Sequence, residues 1–90
     1  MKSNENNLFK TSEFILICTL VYNGVVVKEF ESDPINPRRA VAVFAYSKKL
    51  EAEKAKLLEG KTKVEPVRFW ATVREVKGRI RTALGQDQWN

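Results

Sequence analysis

Residues 66–84 read PVRFWATVREVKGRIRTAL, and the rest of the chain is organised around them. Pro66 suits the first turn of a helix, where its missing N–H costs no hydrogen bond, and Gly85 is a natural stop after the last turn. The segment predicts one helix, Pro66 to Leu84. Its apolar residues recur at helical spacing and form a continuous core stripe: Phe69, Val73, Val76, Ile80 and Leu84.

A second side of this predicted helix combines cations with one aromatic residue. We call it the basic ridge, and it consists of Trp70, Arg74, Lys77 and Arg81. Cations about one turn apart can neutralise successive phosphates, and an adjacent aromatic ring can stack on an exposed base. A purely structural interpretation stays open as well. In that interpretation Trp70 packs at the margin of the core, and the cations extend from it into water.

The charge is unevenly distributed along the chain. Residues 1–47 hold five basic and five acidic side chains, whereas residues 48–90 hold eleven basic and six acidic ones. The net charge of +5 therefore belongs to the second half, which favours an anionic partner. Cations on other predicted elements are candidates to extend the binding surface beyond the basic ridge: Arg38, Arg39, Lys48, Lys49, Lys61 and Lys63.

Length and composition predict one small globular domain. The chain has 90 residues, of which 43% are hydrophobic and 30% charged, and this argues against wholesale disorder. The longest nearly apolar run, Phe14 to Tyr22, is far shorter than the ~20 residues that cross a bilayer. Met1 to Asn7 is polar and resembles no secretory signal. We therefore expect a soluble, cytoplasmic protein that does not enter membranes.

The residue types needed for most catalytic and metal sites are scarce. The chain has no histidine and a single cysteine, Cys18, which lies in an apolar segment and is expected to be buried and inert. The usual zinc site and every histidine-activated nucleophile are thereby excluded, and no two acidic residues stand out as a catalytic pair. We expect no cofactor, no metal site and no catalytic residues, and hence not an enzyme.

The segment from Phe14 to Tyr22 has two competing interpretations. Asn23-Gly24 lies between it and the β-rich run Val25 to Phe30, which is typical of a hairpin with a tight turn. The alternative is a helix from Ser12 to Tyr22 or Asn23, with Thr11 as its N-cap and Gly24 after its end. Periodicity does not decide between them, because a nearly unbroken apolar run fits a buried strand or a buried helix.

A family resemblance favours the helix. The motifs that carry it occur in this order along the chain: Phe9-Lys10-Thr11-Ser12-Glu13, an apolar segment ending at Gly24, and later Gly60 and Val64-Glu65-Pro66 with Phe69. The order resembles a family of short uncharacterised domains from prokaryotic and viral sequences. The similarity covers about Phe9 to Leu84 and implies a first helix, two strands and two further helices. The family has no known catalytic residues, and the insert Ser32 to Arg38 and a Lys-rich second helix depart from its pattern.

The remaining elements follow in order. Strands are predicted from Val25 to Glu31 and from Arg39 to Tyr46, separated by a segment with two prolines. Ser47 is expected to cap a helix from Lys48 to Glu59, with Gly60 after its end. We therefore predict an α+β domain over residues 9–84, in the order α-β-β-α-α, with an antiparallel hairpin packed against helices. Residues 1–8 and 85–90 are predicted to be tails, the first of them mobile.

Two expectations concern partners. A two-stranded hairpin leaves both edges unpaired, so either the three helices cover the edges or two copies join edge to edge, with Val41 and Val43 at the dimer edge. The expected function is non-catalytic binding, with a nucleic-acid backbone as the first choice of partner. The alternative is a small protein-interaction or inhibitor module, of the kind that viruses encode, which recognises an acidic protein surface.

Overall fold

The computed structural model describes residues 7–85, which form three helices and a three-stranded sheet. The elements in chain order are β1 (Leu8–Thr11), α1 (Phe14–Tyr22), β2 (Val27–Ser32), β3 (Ala40–Ala45), α2 (Lys48–Leu58) and α3 (Pro66–Leu84). The predicted α+β class is confirmed, and α3 has the predicted bounds. The expectations for most of the two tails, including Trp89, lie outside the described residues.

The sheet has one strand more than predicted. Its order is β1-β3-β2, and both pairings are antiparallel. Phe9 of β1 and Val27 of β2 both lie opposite Phe44, so β3 is the central strand. The element order is therefore β-α-β-β-α-α, and Leu8, predicted to belong to the tail, is the first residue of β1.

The expected dimer edge at Val41 and Val43 is wrong for the same reason. Both residues lie on β3, whose backbone is paired on one side with β1 and on the other with β2. Val43 is completely buried and has no free edge to offer a second copy. The unpaired edges of the sheet belong to β1 and β2 instead, and a homodimer stays a prediction.

The first helix is confirmed, and the hairpin alternative is wrong. The helix α1 begins at Phe14, two residues later than predicted, because the Thr11 hydroxyl accepts a hydrogen bond from the Glu13 N–H instead of capping the helix. At the other end Gly24 has a φ of 90°, a left-handed conformation that glycine adopts without strain. The Val25 N–H then donates to the Leu20 carbonyl. This bond holds Val25 in the turn, and β2 starts at Val27.

The other boundaries follow from local caps and turns. Ser47 accepts a hydrogen bond from the Leu50 N–H and starts α2 as predicted, and Gly60 follows its end with a φ of 72°. In the connection between β2 and β3 the Asp33 carboxylate accepts hydrogen bonds from the N–H groups of Ile35 and Asn36. This turn closes the hairpin, and β3 runs from Ala40 to Ala45, one residue shorter than predicted at each end.

The helices pack on one face of the sheet. Phe44 and Ala42 of β3 contribute to the core from the sheet, and the predicted stripe of α3 contributes from the helix side. The ammonium of Lys54 lies 4.0 Å from the centre of the Phe9 ring, which places α2 over β1. The guanidinium of Arg79 lies 5.6 Å from the Phe30 ring and places α3 over β2. Between them, α1 contacts both other helices.

The opposite face of the sheet is bridged by one ion pair. Lys10 of β1 lies opposite Val43, and its ammonium is 3.4 Å from the carboxylate of Glu31 on β2. The two side chains thus meet across β3, because residues opposite each other in register share a face. The Lys10 and Glu31 side chains are 51% and 38% exposed, so the pair itself contributes little stability.

Candidate nucleic-acid interface

The start of α3 is fixed by its cap and by α1. The Glu65 carboxylate accepts hydrogen bonds from the N–H groups of Arg68 and Val67, and these bonds hold the pKa of that carboxyl below its ordinary value of 4.5. The Glu65 N–H donates to the Tyr22 hydroxyl at 2.9 Å. The Tyr22 ring also meets the Phe69 ring edge-on, with centres 5.7 Å apart. These contacts set which side of α3 faces the core.

The side of α3 next to the core stripe carries the basic ridge. Trp70 is 58% exposed and is not among the residues of the core. Arg74 is exposed as well, while Lys77 and Arg81 are half-buried. Among residues 7–85, neither Arg74 nor Lys77 forms a salt bridge. The exposed Trp70 fits an accessible ring, and the half-buried Lys77 and Arg81 fit cations that extend from the core margin, so both interpretations stay open.

Lys77 stands at the inner margin of the ridge, beside α1. Burial raises the pKa of the Cys18 thiol to about 11, and the positive charge of Lys77 opposes that rise. Cys18 is completely buried, as predicted, and stays protonated at neutral pH. Lys77 thus has its stem near the core, while the basic ridge continues outward to Arg74.

An apolar residue extends the basic ridge toward the N-terminus of α3. Val67, one turn before Trp70, is 74% exposed. At about 100° per residue, Val67 and the ridge residues fall within one narrow sector of the helix, whereas Glu75 lies about 100° from Arg74 on the other side. Sequence reasoning missed Val67, although its spacing of three residues from Trp70 could have indicated it.

The other predicted cations lie on different elements. Arg38 and Arg39 are exposed in the β2–β3 turn. Lys48 lines a groove with Tyr46 at the start of α2, and the Lys49 ammonium lies close to Gly24. Because α1 lies between α2 and α3, the structure does not bring Lys48 and Lys49 together with the basic ridge.

Lys61 and Lys63 lie near the C-terminal ends of α1 and α2. They line a groove with Asn23, the C-cap residue that follows α1, and with Lys56 near the end of α2. Helix C-termini carry a partial negative charge, so lysines here stabilise the helices. Lys61 also lies 3.3 Å from the Glu59 carboxylate. The local structure thus accounts for these cations without a ligand.

Within residues 7–85 no three His, Cys, Asp or Glu side chains are grouped so that they could hold a metal ion. No helix in this range is long and apolar enough to cross a membrane.

Fold and surface together define a small α+β protein with one exposed, cationic and partly apolar helix. Comparison with known families places the chain more closely. Residues 6–82 match the family described as "Domain of unknown function (DUF5659)", and the chain belongs to that family. The resemblance to a family of uncharacterised domains is thereby confirmed. No curated protein and no solved structure matches the chain.

Proposed function

We propose that this protein binds the sugar–phosphate backbone of nucleic acid through the basic ridge of α3. The observation that supports the proposal is the exposed Trp70 in line with Arg74, Lys77 and Arg81 on one side of a single helix. Arginine and lysine bind phosphate oxygens by charge-assisted hydrogen bonds, and binding releases the counterions condensed on the nucleic acid. The net charge of +5 adds a long-range attraction for any polyanion.

The rigidity of the scaffold supports the same function. The helix α3 spans 19 residues and is anchored along its length by Val73, Val76 and Ile80. Along such a helix the ridge cations follow one another at steps of about 4.5 and 6 Å along the axis, given a rise of about 1.5 Å per residue. Side chains on a packed helix lose less conformational entropy on binding than side chains on a loop.

The salt dependence of binding tests the proposal. Each phosphate contact adds about 0.9 to the slope of log K against log salt for duplex DNA, so three cations predict a slope of roughly −2.7. The triple variant Arg74→Ala, Lys77→Ala, Arg81→Ala should flatten this slope and weaken binding to all sequences alike. Fluorescence anisotropy with labelled oligonucleotides at several salt concentrations measures both quantities.

A matched variant separates a local site from net charge. Arg38→Ala, Arg39→Ala, Lys48→Ala removes the same number of cations from other elements. If the ridge is the site, this control should bind with nearly the wild-type slope. An equal loss in both variants contradicts a local site, and a wild-type protein that binds no DNA or RNA at low salt contradicts the proposal.

The second candidate function is recognition of an acidic protein surface. It is favoured by the spacing of Val67, Trp70, Ala71 and Arg74, because positions i, i+3, i+4 and i+7 are those by which a helix docks into a groove. A protein partner should bind with defined stoichiometry, and its affinity should depend on Trp70 more than on salt. Capture experiments from lysate with and without nuclease treatment distinguish the two candidates.

A further inference from the structure

We infer that the basic ridge binds single-stranded rather than duplex nucleic acid, with bases stacked against Trp70 and Val67. This inference rests on the proposed function and names the class of ligand. The first step is exposure: Val67 and Trp70 are 74% and 58% exposed, although both are large apolar residues on a helix that also packs against the core. Ala71 is exposed beside them.

The second step is the order of residues along the helix. The apolar pair lies within the first five residues of α3, and the cations Arg74, Lys77 and Arg81 follow toward its C-terminus. A strand that follows the helix axis therefore meets an apolar surface first and a cationic one after it. The distance from Trp70 to Arg81 is about 16 Å along the axis, at about 1.5 Å per residue.

The third step concerns what each form of nucleic acid presents. A duplex hides the faces of its bases in its own stack and offers phosphates, sugars and base edges. Trp70 and Val67 would meet charged phosphates there, and no base face would cover them. A single strand has unstacked bases that lie against aromatic side chains, while its phosphates reach nearby cations. Only the single strand satisfies both halves of the surface.

Glu75 adds a constraint on the path of the strand. It lies about 100° around the helix from Arg74, on the side away from Lys77. Glu75 and the ridge cations line the same shallow groove, so a phosphate is repelled from the Glu75 side. The strand is thereby directed along the line from Trp70 to Lys77, away from Glu75.

Three labelled ligands of equal length test the inference: a single strand of mixed sequence, the corresponding duplex, and an abasic single strand. We expect the single strand to bind about 5- to 150-fold more tightly than the abasic strand, which corresponds to one stacked base. In a Trp89→Phe background, which leaves Trp70 as the only tryptophan, indole fluorescence should fall on binding the single strand and stay unchanged with the abasic strand.

Variants assign the effect to the indole. Trp70→Ala should lower affinity for the single strand to that for the abasic strand, and Trp70→Phe should retain part of the difference. Leu58→Ala, which removes an 85% exposed apolar residue from α2, should change nothing. Thermal melting of each variant checks that the fold is retained.

The possible outcomes separate this inference from the proposed function. Salt-dependent binding with equal affinity for the abasic strand, or with preference for the duplex, overturns the inference and leaves backbone binding in place. Failure to bind any of the three ligands overturns both. A protein partner that needs Trp70 while nucleic acid does not bind is the remaining result that contradicts the inference.

Discussion

At the scale of single residues, Glu65 shows how one side chain fixes the start of the functional helix. Its carboxylate accepts two backbone N–H groups at the N-terminus of α3, where the helix dipole also favours negative charge. These interactions lower the pKa of Glu65, because the folded state prefers the ionised carboxylate. The stabilisation is therefore present above the ordinary pKa of 4.5 and is lost as the pH falls through the folded value.

The lowered pKa of Glu65 predicts how the stability of the Glu65→Ala variant depends on pH. At neutral pH the variant should melt at a lower temperature than the wild type, since two N–H groups lose their acceptor. Toward acid pH the two melting temperatures should converge, because the protonated wild type no longer gains from the charge. Glu29→Ala, which removes an exposed carboxylate on β2, is the control and should leave the neutral melting temperature nearly unchanged. A constant difference at all pH values contradicts this account.

At the scale of the element, Gly78 lies inside α3, and no local contact explains why a glycine stands there. Nothing in the structure lies within 4 Å of the place where a Cβ on Gly78 would stand. Glycine costs about 0.5–1 kcal/mol relative to alanine in a helix interior. We therefore expect Gly78→Ala to stabilise the protein by about that amount, as measured by urea denaturation.

The control substitution in the same helix should have the opposite effect on the stability of the protein. Ala71→Gly, at an exposed position one heptad earlier, should destabilise the protein by about 0.5–1 kcal/mol. If Gly78→Ala lowers stability instead, a contact over Gly78 exists in solution that the structure does not show. Together the two variants compare the intrinsic preference of the helix with any demand made at Gly78.

The elements differ in how far the sequence predicts them. For α3 the prediction is complete, since Pro66, Gly85 and the apolar stripe are all local signals. The strand β1 was missed because four residues carry too little pattern, and its pairing partner, β3, lies far away in the chain. The start of α1 was misplaced because the Thr11 hydroxyl bonds to the Glu13 N–H in a local turn. Long-range strand pairing, and side chains that compete for backbone hydrogen bonds, are thus the two features that local sequence patterns do not predict.

The candidate site, too, is predicted only in part from the sequence. The composition of the basic ridge follows from helical spacing, which the sequence contains. The exposure of Trp70 does not, because it depends on where α1 lies against α3, and that placement is a tertiary contact. The separation of Lys48 and Lys49 from the ridge has the same origin. Sequence reasoning thus names the residues of the surface but not its extent.

At the scale of the whole molecule, the two sheet edges are unequal. An antiparallel, two-fold pairing of β2 with a second copy brings Glu29 and Glu31 of both chains opposite or next to one another, and like charges there are destabilising. The outer edge of β2 is thereby protected against self-association. The edge of β1 carries Lys10 as its only charge, so an edge-to-edge dimer, if one forms, is expected there.

The same strand has a consequence for the order in which the molecule assembles. Strands β2 and β3 are joined by the short segment 33–39, whereas Leu8 pairs with Ala45 far along the chain. Closing a longer loop costs more entropy, so the hairpin is expected to form first and β1 to join last. Amide hydrogen exchange should then be faster in the β1–β3 ladder than in the β2–β3 ladder, and equal protection would contradict this order. During synthesis, β1 emerges from the ribosome before the other two strands but is expected to pair last. Until β1 pairs, one edge of β3 remains open to a strand from another chain.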